Sequence, residues 1–302
     1  MHLADYLKIF PPGDNPTLFY TDVGGAYTLP YFIPYFSGIV MAIISFIFAL
    51  REDFSGTLPR KSKRLPETIP EKKKSWFPDW ARWFVVSITP LPFLFFGSMV
   101  LGGVISRLGG EGLLASMQID GGFVFAIPAV FFVSKLFFPK MPPLERMKPV
   151  LFAAPFCIII LKISCVMEQV NYGIPVKWGL PVFEFSTPGV KYGADVRVFP
   201  YNTFIILFMI GAVVWTLINR KNGKHFQHIT PILYGCVFFL DFLLGRDVGL
   251  RILGTHAMSW CHLIILAWGI FFLKLEQQSD AALRALQKRG RGTKKKKKKR
   301  AR

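Results

Sequence analysis

The chain has 302 residues, 52% of them hydrophobic and 31 of them phenylalanine, with a formal net charge of +19. A composition this apolar, with positive mean hydropathy, excludes an ordinary soluble globular domain and points to an integral membrane protein. The charge does not argue for nucleic acid as a partner, because 12 of the positive charges sit in residues 284–302, RALQKRGRGTKKKKKKRAR.

Apolar stretches of about 20 residues are long enough to cross a hydrocarbon core roughly 30 Å thick. They occur at 31–50, 83–106, 120–138, 149–167, 200–218, 230–248 and 257–275. The prediction is an all-α integral membrane protein of about seven transmembrane helices. An N-terminal segment, 1–30, precedes the helical domain, 31–276, which carries a basic loop at 51–82; a polybasic tail, 277–302, follows it.

The opening residues, MHLADYLKIFPPGDNPTLFY, lack a basic start followed by an apolar core. The first span, rather than a cleaved leader, is therefore expected to direct insertion. Cytoplasmic segments carry Lys and Arg in excess. An outside N-terminus places 51–82, 135–148, 220–224 and 274–302 in the cytoplasm, with 29 of the 37 basic residues. Loop 51–82 is Pro-rich and basic and reads as a linker; its WFPDWARWF end suits the membrane interface, where Trp is favoured. The tail has no apolar partner to pack against, so it is expected to be disordered and to lie against anionic cytoplasmic lipids.

The cysteines Cys157, Cys165, Cys236 and Cys261 fall in or at the ends of spans and include no CxxC, which argues against a disulfide framework or a zinc site. The HFQH pair, His225 and His228, is poor support for a metal site, and no metal or other cofactor is expected.

A charged side chain in the bilayer costs about 2.5 to 3.5 kcal/mol on insertion scales, so such residues tend to face a cavity, a partner or a ligand. Arg107 ends the second span, Asp120 begins the third, Lys162 and Glu168 end the fourth, Arg197 and Asn202 begin the fifth, and Arg246 and Asp247 end the sixth. In the predicted topology all of these ends point outward. Snorkelling or a structural ion pair accounts for any one of them alone. Together they predict a cationic pocket suited to a phosphate-bearing headgroup.

The stretch LKISCVMEQVNYGIPVKWG, residues 161–179, resembles the signature of the bacterial prolipoprotein diacylglyceryl transferases. That signature reads roughly Arg-Ile-Gly-Asn-Phe-x-Asn-x-Glu-x-x-Gly, then a Pro and a Trp-Gly. Lys162 stands at its Arg, Cys165 at its first Asn, Val170 at its Glu and Gly173 at its final Gly, followed by Pro175 and Trp178-Gly179. GGVISRLG, with Arg107, is similar to the family's Gly-Ala-Arg-Leu-Gly segment, and SMQIDGG to its His-Gly-Gly segment, with Asp120 at the His and Gly121 and Gly122 after it. Tyr27 resembles an early family tyrosine, and RVFPYNT a Pro-Ser-Gln-Leu-Tyr-Glu region through Pro200 and Asn202. In YGCVFFLDFLLGRD, Phe238 replaces a family Arg, and Arg246 matches a second Arg with a one-residue shift.

The resemblance implies transfer of a diacylglyceryl group from phosphatidylglycerol to the lipobox cysteine of a prolipoprotein signal peptide, at the outer face of a bacterial cytoplasmic membrane. It makes Asp120, Lys162 and Glu168 the candidate catalytic residues, with His256 a further proton acceptor. Tyr27, Arg107, Gly121, Gly122, Cys165, Asn171, Gly173, Arg197, Asn202 and Arg246 become candidate substrate contacts. Cys165 reads either as a packing residue or as a thiol nucleophile one helical turn from Lys162. The changed motif residues leave two outcomes open: a divergent enzyme, or a transferase-like membrane protein that binds phospholipid or a lipidated partner.

Overall fold

The computed structural model describes residues 33–54, 78–108, 119–139, 141–167, 175–181, 185–187, 190–192, 197–222, 226–244, 251–252, 255–256 and 259–300. Among these residues the helices are α1 (Ile33–Phe54), α2 (Asp79–Ile88), α3 (Pro90–Leu108), α4 (Ile119–Phe137), α5 (Pro143–Met167), α6 (Tyr201–Lys221), α7 (Ile229–Gly235), α8 (Val237–Leu244) and α9 (Ser259–Arg300). Apolar segments of this length become helices because a helix satisfies its own backbone polar groups where no water can.

Among the described residues, five helical stretches are long and apolar enough to cross a membrane: Asp79–Ser98, Asp120–Phe137, Pro143–Val166, Tyr201–Lys221 and Ser259–Gln278. Two shorter apolar ones, Phe36–Arg51 and Ile229–Leu243, accompany them. The outward faces match. On α1, Phe36, Ile39, Ile43 and Ile47 form a helical stripe, each 47% to 59% exposed, which a water-soluble protein would cover.

Proline sets several boundaries. The second predicted span is interrupted at Thr89, because Pro90 has no N–H to continue the ladder; the Thr89 hydroxyl donates to the Val85 carbonyl at 2.7 Å and closes α2. The sixth is interrupted at Cys236, where the Phe239 N–H donates to the Cys236 carbonyl at 3.0 Å, a tightened turn between α7 and α8.

The connections from α5 to α6 and from α8 to α9 contain short antiparallel ladders, so the fold is helical but not purely so. β1 (Pro175–Pro181) pairs with β4 (Arg197–Val198), β2 (Phe185–Thr187) with β3 (Val190–Tyr192), and β5 (Arg251–Ile252) with β6 (Thr255–His256). Val and Thr recur in these segments, beside Phe185 and Tyr192, and such residues favour strands. α9 continues beyond its apolar stretch as far as Arg300. Ala, Leu, Gln, Lys and Arg are strong helix formers, and an established helix propagates without a new nucleus.

The core lies between α1, α4, α5, α6, α7 and α9 and includes Met41, Phe123, Ile158, Met209, Tyr234 and Phe272. Glycine brings α3 and α4 together. A Cβ on Gly122 would lie 2.5 Å from the Leu94 carbonyl oxygen, and one on Gly121 would lie 2.9 Å from Leu101 Cβ. The same device joins α7 to α9 at Gly235 and Gly269.

Candidate functional site

Polar side chains meet at the end of the bundle where α4, α6 and α9 begin and α5 and α8 finish. Asp120 is the second residue of α4, and Lys162 lies in the last turns of α5. Tyr201 opens α6 directly after an inverse γ-turn. Pro200, at φ −77° and ψ 62°, lets the Tyr201 N–H donate to the Phe199 carbonyl at 2.8 Å. Tyr234 comes from α7, Asp241 from α8 and His262 from the first turn of α9.

These groups form one connected series. The Tyr234 hydroxyl donates to Asp120 Oδ1. Lys162 Nζ lies 3.8 Å from the same oxygen, and His262 Nε2 lies 3.5 Å from it. At the opposite side of the imidazole, His262 Nδ1 is 2.9 Å from Asp241 Oδ2. The Tyr201 hydroxyl donates to Asp241 Oδ1. The Tyr234 ring stands edge-on to the His262 ring, with centroids 5.1 Å apart, which fixes the imidazole between the two carboxylates.

Burial makes these contacts consequential. The side chains of Lys162 and His262 are 5% and 3% exposed, and those of Asp120 and Asp241 are 14% and 13% exposed. Charges held out of water this far persist only when paired and hydrogen-bonded. The imidazole stands between two carboxylates, hydrogen-bonded to Asp241 through Nδ1 and facing Asp120 through Nε2 at 3.5 Å without a hydrogen bond among the described residues, so Nε2 is the nitrogen left open to take up or give a proton. With two carboxylates, one ammonium and one imidazole, the described groups carry no net positive charge in either state of the ring. The cationic pocket expected from the sequence is thus not formed by them.

Of the residues singled out in the sequence, Asp120 and Lys162 are brought together. Cys165 lies one turn beyond Lys162, half-buried and within its electrostatic reach. Asn202 is buried next to Tyr201 at the start of α6. Gly121 and Gly122 face α3, where they allow close helix packing. Arg107 lies in α3, Arg197 in β4 and His256 in β6, all with side chains outside the described set. Tyr27, Glu168, Asn171, Gly173, Arg246 and Asp247 fall outside the described residues.

Tyr201, Tyr234, Asp241 and His262 were not singled out by the sequence reading. For Asp241 and His262 a signal existed: each is an isolated polar residue within an apolar helix, the same criterion that selected Lys162.

Tyr234 also lines a partly open apolar pocket of about 30 Å³, together with Met41, Phe123, Ile158, Thr230 and Ile265. At the far end of the bundle His228 pairs with Glu276 of α9, Nδ1 to Oε2, at 2.5 Å; His225 lies outside the described residues.

No protein-family model matches the chain, and no curated protein or solved structure matches it.

Proposed function

We propose that the chain is a multi-pass protein of a bacterial cytoplasmic membrane, with seven spans, an outside N-terminus and a cytoplasmic C-terminus. In this reading it transfers the diacylglyceryl group of phosphatidylglycerol to the lipobox thiol of a prolipoprotein. The observation that carries the reading is the buried Lys162–Asp120–His262–Asp241 series, a cation and a proton acceptor side by side at lipid depth. In the proposed step the acceptor cysteine gives its proton to the Asp120–His262 pair. Its sulfur then bonds to the glyceryl carbon as the carbon–oxygen bond to phosphate breaks, and glycerol phosphate leaves with the electron pair. Lys162 draws the phosphate towards Asp120 and offsets the charge that develops on the leaving group.

A second reading has one specific observation in its favour. Lys162 already faces Asp120 at 3.8 Å, so its charge is matched before any phosphate arrives. A site of that kind fits a transferase-like protein that holds a phospholipid or a lipidated partner without reacting.

The two readings separate in one assay. The purified chain is incubated with phosphatidylglycerol labelled in its acyl chains and a lipobox peptide, and the peptide is analysed for a thioether-linked diacylglyceryl group. The transferase reading expects the label on the peptide, and a rate about 10²- to 10⁴-fold lower for His262→Gln. Well-folded wild-type protein that binds the phospholipid and leaves the peptide unlabelled sinks the transferase and supports the non-reacting form.

A further inference from the structure

The basic residues at the far end of the bundle have no part in the proposed transfer. Arg146 stands in the first turn of α5, sixteen positions before Lys162 and so about 24 Å from it along the helix. It is 4% exposed, and its Nε is buried without a hydrogen-bond partner. The carboxylates described at that end are taken, since Glu145 pairs with Lys148 at 3.7 Å and Glu276 with His228. The guanidinium lies instead over the Phe131 ring of α4, 5.2 Å from its centroid. A ring face offsets only part of the cost of holding a cation out of water, so the described residues leave the charge of Arg146 unmatched.

Phe131 places that guanidinium at the seam of α4 and α9. Its ring centroid is 5.8 Å from that of Trp268 and 5.9 Å from that of Phe271, both on α9. Lys135 follows Phe131 by four positions and Lys274 follows Phe271 by three, so each lysine stands on the same helix face as its ring, one turn nearer the end of the bundle. Both lysines are exposed, and no described carboxylate pairs with either. Phe132, Leu136 and Phe271 are exposed beside them, so the basic corner borders a surface that meets lipid.

We propose that this corner seats one anionic phospholipid of the leaflet opposite the Asp120–His262 site, the cytoplasmic leaflet in the orientation given above. The phosphate diester accepts hydrogen bonds from the Arg146 guanidinium, whose planar fork matches two phosphate oxygens. Lys135 and Lys274 flank the headgroup, and the acyl chains lie on the exposed apolar face of α4 and α9. Basic pockets between membrane helices recognise acidic headgroups in this way.

The charges select the headgroup. A choline or ethanolamine lipid would bring an ammonium of its own among Arg146, Lys135 and Lys274, whereas a lipid with only its phosphate charge leaves the three cations facing one anion. A free phosphate ion would meet the same guanidinium but would leave the apolar border uncovered. The seat depends on insertion in a membrane and not on the transferase reading, so either proposal can fail without the other.

The test titrates the full chain, purified in a neutral detergent, with dioleoyl phosphatidylglycerol, with dioleoyl phosphatidylcholine and with sodium phosphate. Retained lipid is counted by native mass spectrometry, and the unfolding temperature is followed alongside. A basic residue near an anionic lipid surface contributes about fivefold in affinity. Wild-type protein should retain phosphatidylglycerol over phosphatidylcholine by at least that factor and gain stability from it. Arg146→Gln should lower the preference about fivefold, and so should Lys135→Gln combined with Lys274→Gln, two changes confined to exposed positions. Residues 284–302 and the Asp120–His262 site are the same in every variant, so binding there cannot produce these differences. The seat is overturned if the wild type shows no preference, or if monodisperse Arg146→Gln or double-lysine protein keeps the wild-type preference. It is overturned too if sodium phosphate alone stabilises the wild type as much as the lipid does, which would mark a site for the free anion. Should Arg146→Gln fail to fold, the double-lysine variant decides.

Discussion

Lys162 is the residue on which the site's electrostatics turn. Its ammonium sits in the helical end of the bundle with Asp120 as its counter-charge, so replacing Asp120 by Asn leaves a buried cation without one. Removal of one partner from a buried pair costs about 3 to 5 kcal/mol, whereas removal of both is often nearly neutral. Thermal unfolding in detergent is expected to show a large loss for Asp120→Asn, a large loss for Lys162→Met, and partial recovery in the double variant. Additive losses would mean that the two side chains do not act as a pair. The Asp120–Lys162 contact was half legible in the sequence, because a charge inside an apolar run announces that it needs a partner. Which partner was not legible: Arg107 was an equally reasonable choice, and Tyr234, with only a hydroxyl to mark it, gave no such signal. His262 and Asp241 carried the same signal as Lys162 and could have been found by applying the insertion-cost argument to every span.

At the scale of elements, glycine decides which helices touch. Gly122 and Gly211 make a direct comparison, since both lie within apolar helices and differ only in what surrounds them. A methyl group on Gly122 meets the Leu94 backbone at 2.5 Å, whereas one on Gly211 meets nothing within 4 Å. Gly122→Ala should therefore force α3 and α4 apart and lower the unfolding temperature. Gly211→Ala should raise stability by about 0.5 to 1 kcal/mol through helix propensity alone. Equal effects at the two positions would show that the α3–α4 contact is not close. The helices themselves were readable from apolar length, and each predicted span corresponds to helical structure. Their interruptions were less readable: Pro90 marked the break at Thr89, but Pro128 and Pro155 lie within continuous helices, so proline alone did not separate a break from a tolerated kink. The short ladders in 175–198 and 251–256 were missed because segments of two to seven residues give too little periodicity to read.

For the whole molecule, the decisive property is that large apolar side chains point outward. Trp215 is 48% exposed on α6, and Trp83 is 2% exposed against Phe138 in the core. In single-tryptophan variants reconstituted in phospholipids brominated on their acyl chains, fluorescence of Trp215 should be strongly quenched and that of Trp83 hardly at all. Equal quenching would contradict the outward face assigned to α6. Composition made the membrane class legible at once, since hydropathy is a sum over the chain. Which side of each helix meets lipid was not legible in the same way. α5, for example, is apolar nearly all round, and its neighbours, rather than its own pattern, decide what it buries.

The order of the paired groups along the chain also bears on how the protein is made. Asp120 and Lys162 stand on consecutive long helices, α4 and α5, and Asp241 and His262 stand on the consecutive helices α8 and α9. Each pair therefore joins neighbours that leave the ribosome one after the other. A nascent chain that has delivered only α4 and α5 already holds one neutralised pair, so its first charges do not wait in lipid for the last helix. When α9 arrives, His262 comes to stand between Asp241 and Asp120 and closes the series, so the link between the two pairs waits for the last of these helices.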